Sequence, residues 1–249
     1  MEVFPLGDSA IVVRVGTSID EATHRRVRAL CARLDAHPVP GMIAYVPAFA
    51  SVTVHYAPAR VGSPPGAQGT ADATPYARVA AALERLLEGL DATEPPAGRV
   101  VDIPVVYGGS YGPDLDAVAV HAGMSPDEVV DAHVSGDYRV YMIGFAPGFP
   151  YLAGLPERLA APRRPTPRTA VPAGSVGIAG RQTGIYPIES PGGWQIIGRT
   201  PARLFSPDRD PPTLLRVGDR VRFHAIAPDA WERAAAAWPD PSPEPGPAA

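Results

Sequence analysis

The run from residue 138 to residue 201 most constrains what this chain can fold into. It opens with Tyr138-Arg139-Val140-Tyr141-Met142-Ile143-Gly144-Phe145-Ala146-Pro147-Gly148-Phe149-Pro150 and continues through Gly174-Ser175-Val176-Gly177-Ile178-Ala179-Gly180-Arg181-Gln182-Thr183-Gly184-Ile185-Tyr186-Pro187. It is too dense in Gly, Pro and aromatics for a helical core and too apolar for a disordered linker. Gly supplies backbone conformations that a side chain forbids and Pro fixes φ, so the stretches between them fold as short strands and tight turns packed on one another. Turn signals recur at Gly180, Gly184, Gly192-Gly193, Gly198 and Val217-Gly218-Asp219, the spacing of a closed or nearly closed β-barrel. The last strand, residues 220–226, alternates, which puts Val221, Phe223 and Ala225 inward and Arg222 and His224 outward.

Upstream the pattern changes. A strand at residues 10–15 is followed by Ser18-Ile19-Asp20-Glu21, a capping box opening a helix with Val27, Leu30, Cys31 and Leu34 on one face. Strands at 42–46 and 51–56 come next, then a Gly- and Pro-rich loop. A second helix begins at Thr74-Pro75 and turns Val79, Leu83, Leu86, Leu87 and Leu90 inward, and residues 100–106 supply another strand. This order suggests an α+β sandwich of the ferredoxin-like type, with helices on one face of an antiparallel sheet. Two short helices follow, at residues 114–122 and from the capping box Ser125-Pro126-Asp127-Glu128 to His133. Helix, glycine turn, helix invites a DNA-binding reading, but the pair carries Asp114, Asp116, Asp127, Glu128 and Asp131 with no Arg, the wrong sign for phosphate. These helices are expected to cover the barrel. The chain therefore reads as α+β, with an N-terminal domain at residues 1–98 and a barrel domain with its covering helices at 99–236. A disordered tail of Pro, Ala and acids fills 237–249.

Composition narrows the function. A length of 249 residues with 45% hydrophobic content buries a substantial core, and a net charge of −4 argues against nucleic acid or an anionic membrane surface as partner. No stretch of about 18 apolar residues occurs and the N-terminus lacks a basic, then apolar, leader, so the expectation is a soluble, cytoplasmic protein. Cys31 is the only cysteine, which leaves neither an intramolecular disulfide nor a thiolate cage, and the histidines show no ligand spacing, so no metal is expected. Lysine is absent altogether. The chain by itself can form no Schiff base, carry no biotin and complete no phosphate loop of the Gly-x-x-x-x-Gly-Lys type.

The segments Gly144-Phe145-Ala146-Pro147-Gly148-Phe149-Pro150-Tyr151-Leu152, Pro162-Arg163, Pro167-Arg168, Val171-Pro172-Ala173-Gly174, Gln182-Thr183-Gly184-Ile185-Tyr186-Pro187 and Ser190-Pro191-Gly192-Gly193-Trp194 resemble the B-subunit family of the bacterial 5-oxoprolinases. Its members are also called allophanate hydrolase subunit 1 and sporulation kinase inhibitor proteins. The likeness runs back through Pro104-Val105-Val106-Tyr107-Gly108-Gly109 and His133 and forward through Ile197-Gly198-Arg199-Thr200-Pro201, strong in the C-terminal half and a matter of layout in the N-terminal half. The resemblance implies an α+β domain followed by a cyclophilin-like β-barrel. It also implies partners, the 5-oxoprolinase C subunit, which is a homologous barrel, and the A subunit, with which the chain opens the lactam of 5-oxoproline to glutamate at the expense of ATP through a phosphorylated intermediate. ATP, with Mg, is shared with those partners, and no motif of this chain holds it. Because the same paired architecture is fused as the carboxyltransferase domain of urea amidolyases, a carboxyltransferase half of a urea carboxylase and allophanate hydrolase system is one alternative. A regulatory protein that inhibits a sensor histidine kinase is another. A prolyl isomerase reading rests on barrel shape alone.

Opening an unactivated lactam needs cations or oriented N–H groups where charge develops on oxygen. Arg163, Arg164, Arg168, Arg181 and Arg199 make a locally basic stretch with only Glu157 and Glu189 nearby. From it Arg168 is a candidate catalytic anion-binding group and Arg163 a substrate-binding one, against a reading of both as surface arginines in a chain without lysine. Gln182 (catalytic) and Thr183 (substrate-binding) lie between Gly180 and Gly184, where backbone N–H groups can form an anion nest, or where both side chains merely satisfy a turn. Tyr186 is a candidate orienting or acid group, or a buried tyrosine with its hydroxyl bonded. His133 ends a helix, where it transfers protons or contacts a partner subunit, or complements the dipole. Phe145, Phe149, Tyr151 and Trp194 form barrel core or an interface, and the turn that carries Phe145 and Phe149 can equally form a pocket wall for substrate, with Trp194, or a patch that meets the homologous barrel partner. Together these polar groups are expected to face one cleft shared with a partner chain.

Overall fold

No hydrophobic core spans residue 97: one lies before it, and a large and a small one lie after it. The computed structural model describes residues 1–62 and 74–238, and divides the chain into the units Met1–Ala97 and Gly98–Ala249. The Gly- and Pro-rich loop at 63–73 and residues 239–249 of the expected tail lie outside the described residues.

In the first unit β1 (Glu2–Pro5), β2 (Ala10–Arg14), α1 (Glu21–Ala36), β3 (Met42–Pro47), β4 (Ser51–Tyr56) and α2 (Pro75–Leu87) follow one another. The four strands form one antiparallel sheet in the order β1-β2-β4-β3. Alternation sends Ile11 and Val13 of β2 and Val52, Val54 and Tyr56 of β4 to the same face. There they bury against Val27, Leu30 and Leu34 of α1 and Val79 and Leu83 of α2. Cys31 packs half-buried at the edge of this core, and burial pushes its thiol up to about 12, so it is an inert apolar side chain. Two details depart from the sequence reading. The N-cap of α1 is Asp20, whose carboxylate accepts from the Thr23 N–H at 2.7 Å while the Ser18 hydroxyl donates to it. Glu21 is thus the first helical residue, too early to close a box. The ferredoxin-like order also expects residues 100–106 to complete this sheet; instead β1, joined to β2 by a short turn, takes the edge beside it.

Residues 100–107 belong to the second unit, where Ile103, Val105 and Val106 are all buried, a pattern that a one-sided sheet cannot satisfy. After β5 (Val100–Tyr107) come α3 (Leu115–Ala122), α4 (Pro126–Val134), β6 (Tyr138–Ile143), β7 (Pro150–Ala153), β8 (Arg168–Val171), β9 (Ser175–Ala179), β10 (Gln182–Ile185), β11 (Ser190–Gly192), β12 (Gln195–Arg199), β13 (Arg220–Ala225) and α5 (Trp231–Ala236). Seven strands close a barrel in the order β10-β7-β6-β13-β5-β12-β9, and β8 and β11 pair separately. The barrel interior holds Ile103, Val105, Tyr138, Val140, Leu152, Val176, Ile178, Ile185, Ile197, Val221 and Phe223. Val118, Ala119, Val129 and Ala132 of α3 and α4 join the same core, so these helices cover the barrel as their acidic outer faces suggest. The Ser125/Glu128 capping box is formed. Ala225, expected inward, is exposed because β13 ends there, and Trp238, expected in the tail, packs against the barrel core.

Candidate functional site

The sequence-predicted residues fall on both sides of the barrel wall. His133, at the C-terminal end of α4, enters the interior between Tyr138 and Phe223, with ring centroids 5.2 and 4.7 Å away. Thr183 Oγ1 is 3.0 Å from the Gly177 carbonyl, and its one proton goes there because a carbonyl only accepts. It therefore accepts from His133 Nε2–H at 3.1 Å, which leaves Nδ1 bare to accept from the Tyr107 hydroxyl at 2.9 Å. Both ring nitrogens are thus satisfied by protein, and burial pushes the His133 imidazole down to about 3, so it stays neutral. This corrects the assignments of His133 to proton transfer and of Thr183 to substrate: both are fully buried, and they line neither a hollow of about 120 Å³ nor one of about 740 Å³ beside the barrel. Gln182, next along β10, points out of the barrel and also lines neither. The Gly180 N–H expected in an anion nest is bonded to the Ala161 carbonyl at 2.7 Å, and the following residues are held in the β9–β10 ladder. Gln182, Thr183 and Tyr186 thus do not share one cleft.

The outer face of the same strands carries a second aromatic cluster. Gly177 of β9 and Gly184 of β10 are directly paired, and a Cβ on either would stand 3.1 Å from Trp194, so the glycine pair is the floor on which the indole lies. Phe149 meets Trp194 and Tyr186 edge to face at 5.5 and 5.3 Å, and Val171, Ala179 and Ile196 complete this small core. Above it opens a hollow of about 120 Å³ whose walls include Phe145, Phe149, Tyr151, Arg163, Tyr186 and Trp194. It thus gathers Phe145, Phe149, Tyr151, Arg163, Tyr186 and Trp194 from the residues singled out in the sequence. Tyr186 packs so closely on Gly192 that a Cβ there would overlap its hydroxyl. Burial pushes the Tyr186 phenol up, against the opposing pull of the Trp194 N–H and the Arg163 charge. Phe145 stands at the lip, 66% exposed, on backbone with φ 71°. That left-handed conformation costs a bulky residue roughly 1–3 kcal/mol, which the surrounding turn imposes.

Charge at this face is organised by Asp114, which the sequence offered only as one acid among several. It precedes α3 and is buried. Its Oδ2 accepts from Arg168 at 2.8 Å and from the Ile196 N–H at 2.7 Å, and its Oδ1 accepts from Arg168 at 2.8 Å and Arg164 at 2.7 Å. Burial raises the Asp114 pKa, but the Arg168 fork, the Ile196 N–H and the two guanidinium charges outweigh it and hold the carboxyl below its usual range. Arg168, expected to bind an anion from the ligand, is engaged by this carboxylate. Arg163 is exposed beside the hollow and has no acidic partner among the described residues. A larger hollow, about 740 Å³, lies between residues 199–207 and α5. It holds none of the candidate residues, and its Arg199 is stacked on Trp231 at 5.6 Å and bonded to the Ala173 carbonyl. Chemistry rather than size therefore points to the small one. Among the described residues no three His, Cys, Asp or Glu side chains are grouped to hold a metal ion, and no helix is long and apolar enough to cross a membrane.

Residues 1–215 match the model of the carboxyltransferase domain, subdomain C and D. The chain belongs to that family. Among its relatives, the 5-oxoprolinase B subunit of Bacillus subtilis (strain 168) is 48% identical over 228 residues, covering 91% of this chain and 93% of that protein. The protein of the same name from Escherichia coli O157:H7 is 43% identical over 220 residues, covering 88% and 93%. The crystal structure of TTHA0988 superposes with a TM-score of 0.72 at 41% identity over 88% of this chain. This carboxyltransferase-domain chain spans only 40% of the TTHA0988 polypeptide, so there the same unit is continued by further protein.

Proposed function

We propose that the chain is the B subunit of an ATP-dependent 5-oxoprolinase, a cytoplasmic enzyme in which it works with the A subunit, and with a homologous C subunit. Together they open 5-oxo-L-proline to L-glutamate. The observation that carries this reading is the identity of 48% and 43% along nearly the whole length of two proteins named as this component of 5-oxoprolinase. TTHA0988, in which a similar unit is continued within one polypeptide, supports a partner that sits beside this chain.

In this reading the aromatic hollow is the chain's substrate subsite. Its volume, about 120 Å³, is small beside the several hundred Å³ of an ordinary ligand pocket and suits a ligand of a single small ring. Phe149 and Trp194 offer apolar faces to the methylene edge of the lactam, and Arg163 offers a cation. A hollow whose cation, Arg163, has no acidic partner among the described residues suits one carboxylate rather than a triphosphate; in this proposal ATP and its Mg are held with the partner subunits. This chain's contribution is then binding and orientation, and the amide carbonyl faces the mouth of the hollow, where partner groups act on it. The test is reconstitution: the chain is mixed with the A and C subunits, ATP and 5-oxoproline, and glutamate and ADP are measured. Turnover that requires all three chains supports the reading, and absence of turnover from a well-assembled complex overturns it.

A further inference from the structure

We propose that the hollow recognises a carboxylate through Arg163, and that Asp114, which lines no part of it, is the positioning residue that holds Arg163 at its mouth. The inference rests on the reading of the hollow as a substrate subsite. The segment from Pro162 to Pro167 contains no helix or strand, so its shape depends on tethers. The Arg164 N–H donates to the Gly193 carbonyl at 2.7 Å, and the Gln195 amide donates to the Pro162 carbonyl at 3.0 Å. The strongest tether is ionic: Asp114 takes Arg164 and Arg168 from the two sides of Pro167, and is itself fixed to β12 through the Ile196 N–H. Asp114 N–H also donates to the Ile196 carbonyl at 2.9 Å, so the carboxylate cannot swing away from the strand that leads out of Trp194.

Two consequences follow. Arg164 and Arg168 donate to a buried acid, and Arg163 is the cation of this segment with no acidic partner among the described residues. Removal of the Asp114 charge also leaves three guanidinium groups close in sequence with no carboxylate between them, and their repulsion moves the segment that carries Arg163. Asp114 therefore acts on ligand affinity at a distance, through the neighbour of the residue that meets the ligand.

The experiment measures KM and kcat for 5-oxoproline in the reconstituted ternary complex with Arg163→Gln, Asp114→Asn and the double variant, alongside thermal melts. Arg163→Gln is expected to raise KM about tenfold or more, by more than it lowers kcat, because a charge-assisted bond to the carboxylate is lost. Asp114→Asn raises KM by a smaller factor, and in the double variant KM is no higher than in Arg163→Gln alone, whereas a merely structural loss multiplies the two factors. Independent, multiplicative effects overturn the positioning role. An unchanged KM in Arg163→Gln overturns the carboxylate site while leaving the 5-oxoprolinase function standing, and absence of turnover in the unsubstituted complex overturns both. Should Asp114→Asn fail to assemble, Arg164→Gln, which cuts one arm of the clamp, is put through the same cycle with the same criterion.

Discussion

Above the carboxylate range, acidification should destabilise the barrel through His133. His133 is neutral in the fold, its imidazole pushed by burial from the ordinary 6.5 down to about 3. The unfolded chain takes that proton first, so the stabilisation is fully present above the ordinary value and is lost as the pH falls toward the depressed one. Between about pH 7.5 and about pH 5 the unfolded imidazole goes from mostly neutral to mostly charged while the folded one stays neutral, which amounts to roughly 2 kcal/mol. His133→Gln, which does not titrate, removes this component whatever it costs in absolute stability. Trp194, Trp231 and Trp238 all lie in the second unit, so tryptophan emission during urea unfolding reports the barrel alone. The measured quantity is the loss of unfolding free energy across that pH interval in the natural chain minus the loss in the variant. A difference of about 2 kcal/mol is expected. A difference near zero, or greater stability of the natural chain in acid, would show that the folded imidazole accepts a proton and that the hydrogen-bond chain from Tyr107 to Gly177 has been read wrongly.

Gly192→Ala places a methyl group against the Tyr186 hydroxyl, so the phenol must move; a loss of about 1–3 kcal/mol in the barrel's unfolding free energy is expected, with a raised KM for 5-oxoproline in the complex. An unchanged melt and KM would mean that Tyr186 is not held where the hollow needs it. Phe145→Gly relieves the positive φ and raises the stability of the isolated chain by about 1 kcal/mol. The same change lowers turnover of the complex, because the exposed ring forms the lip of the hollow; a variant that gains stability and keeps full turnover would remove Phe145 from the site.

The sheet and helix pattern was legible because it is local. The 3.6-residue spacing of Val27, Leu30 and Leu34 needs a helix with one buried face, and the alternation of Val221 and Phe223 needs a strand, whatever surrounds them. For residues 100–107 the element order and the boundary at residue 98 pointed to different sheets, and the structure follows the boundary, since a strand's partner is chosen by non-local pairing and by how many of its faces find cover. The candidate site divides along the same line. Phe145, Phe149, Tyr186 and Trp194 could be named because aromatics in a run of Gly and Pro have few places to go. Thr183 lies in β10 and Tyr186 just past its end, an odd number of residues apart, so alternation puts them on opposite faces; proximity along the chain is the wrong guide there. Asp114 left no signal beyond its charge, because its partners lie about fifty to eighty residues away.

The amino-acid sequence by itself determined that this chain makes an acidic, lysine-free α+β protein whose second half is a barrel of short strands, and its motifs carried the family, since periodicity, turn chemistry and motif are properties of neighbouring residues. Tertiary structure alone decided which of Arg163, Arg164 and Arg168 has no acidic partner among the described residues. Whether a guanidinium meets a ligand or a carboxylate depends on the side chains that distant strands bring to it, and burying Asp114 against Ile196 committed Arg164 and Arg168 to the fold and left Arg163 to face the hollow.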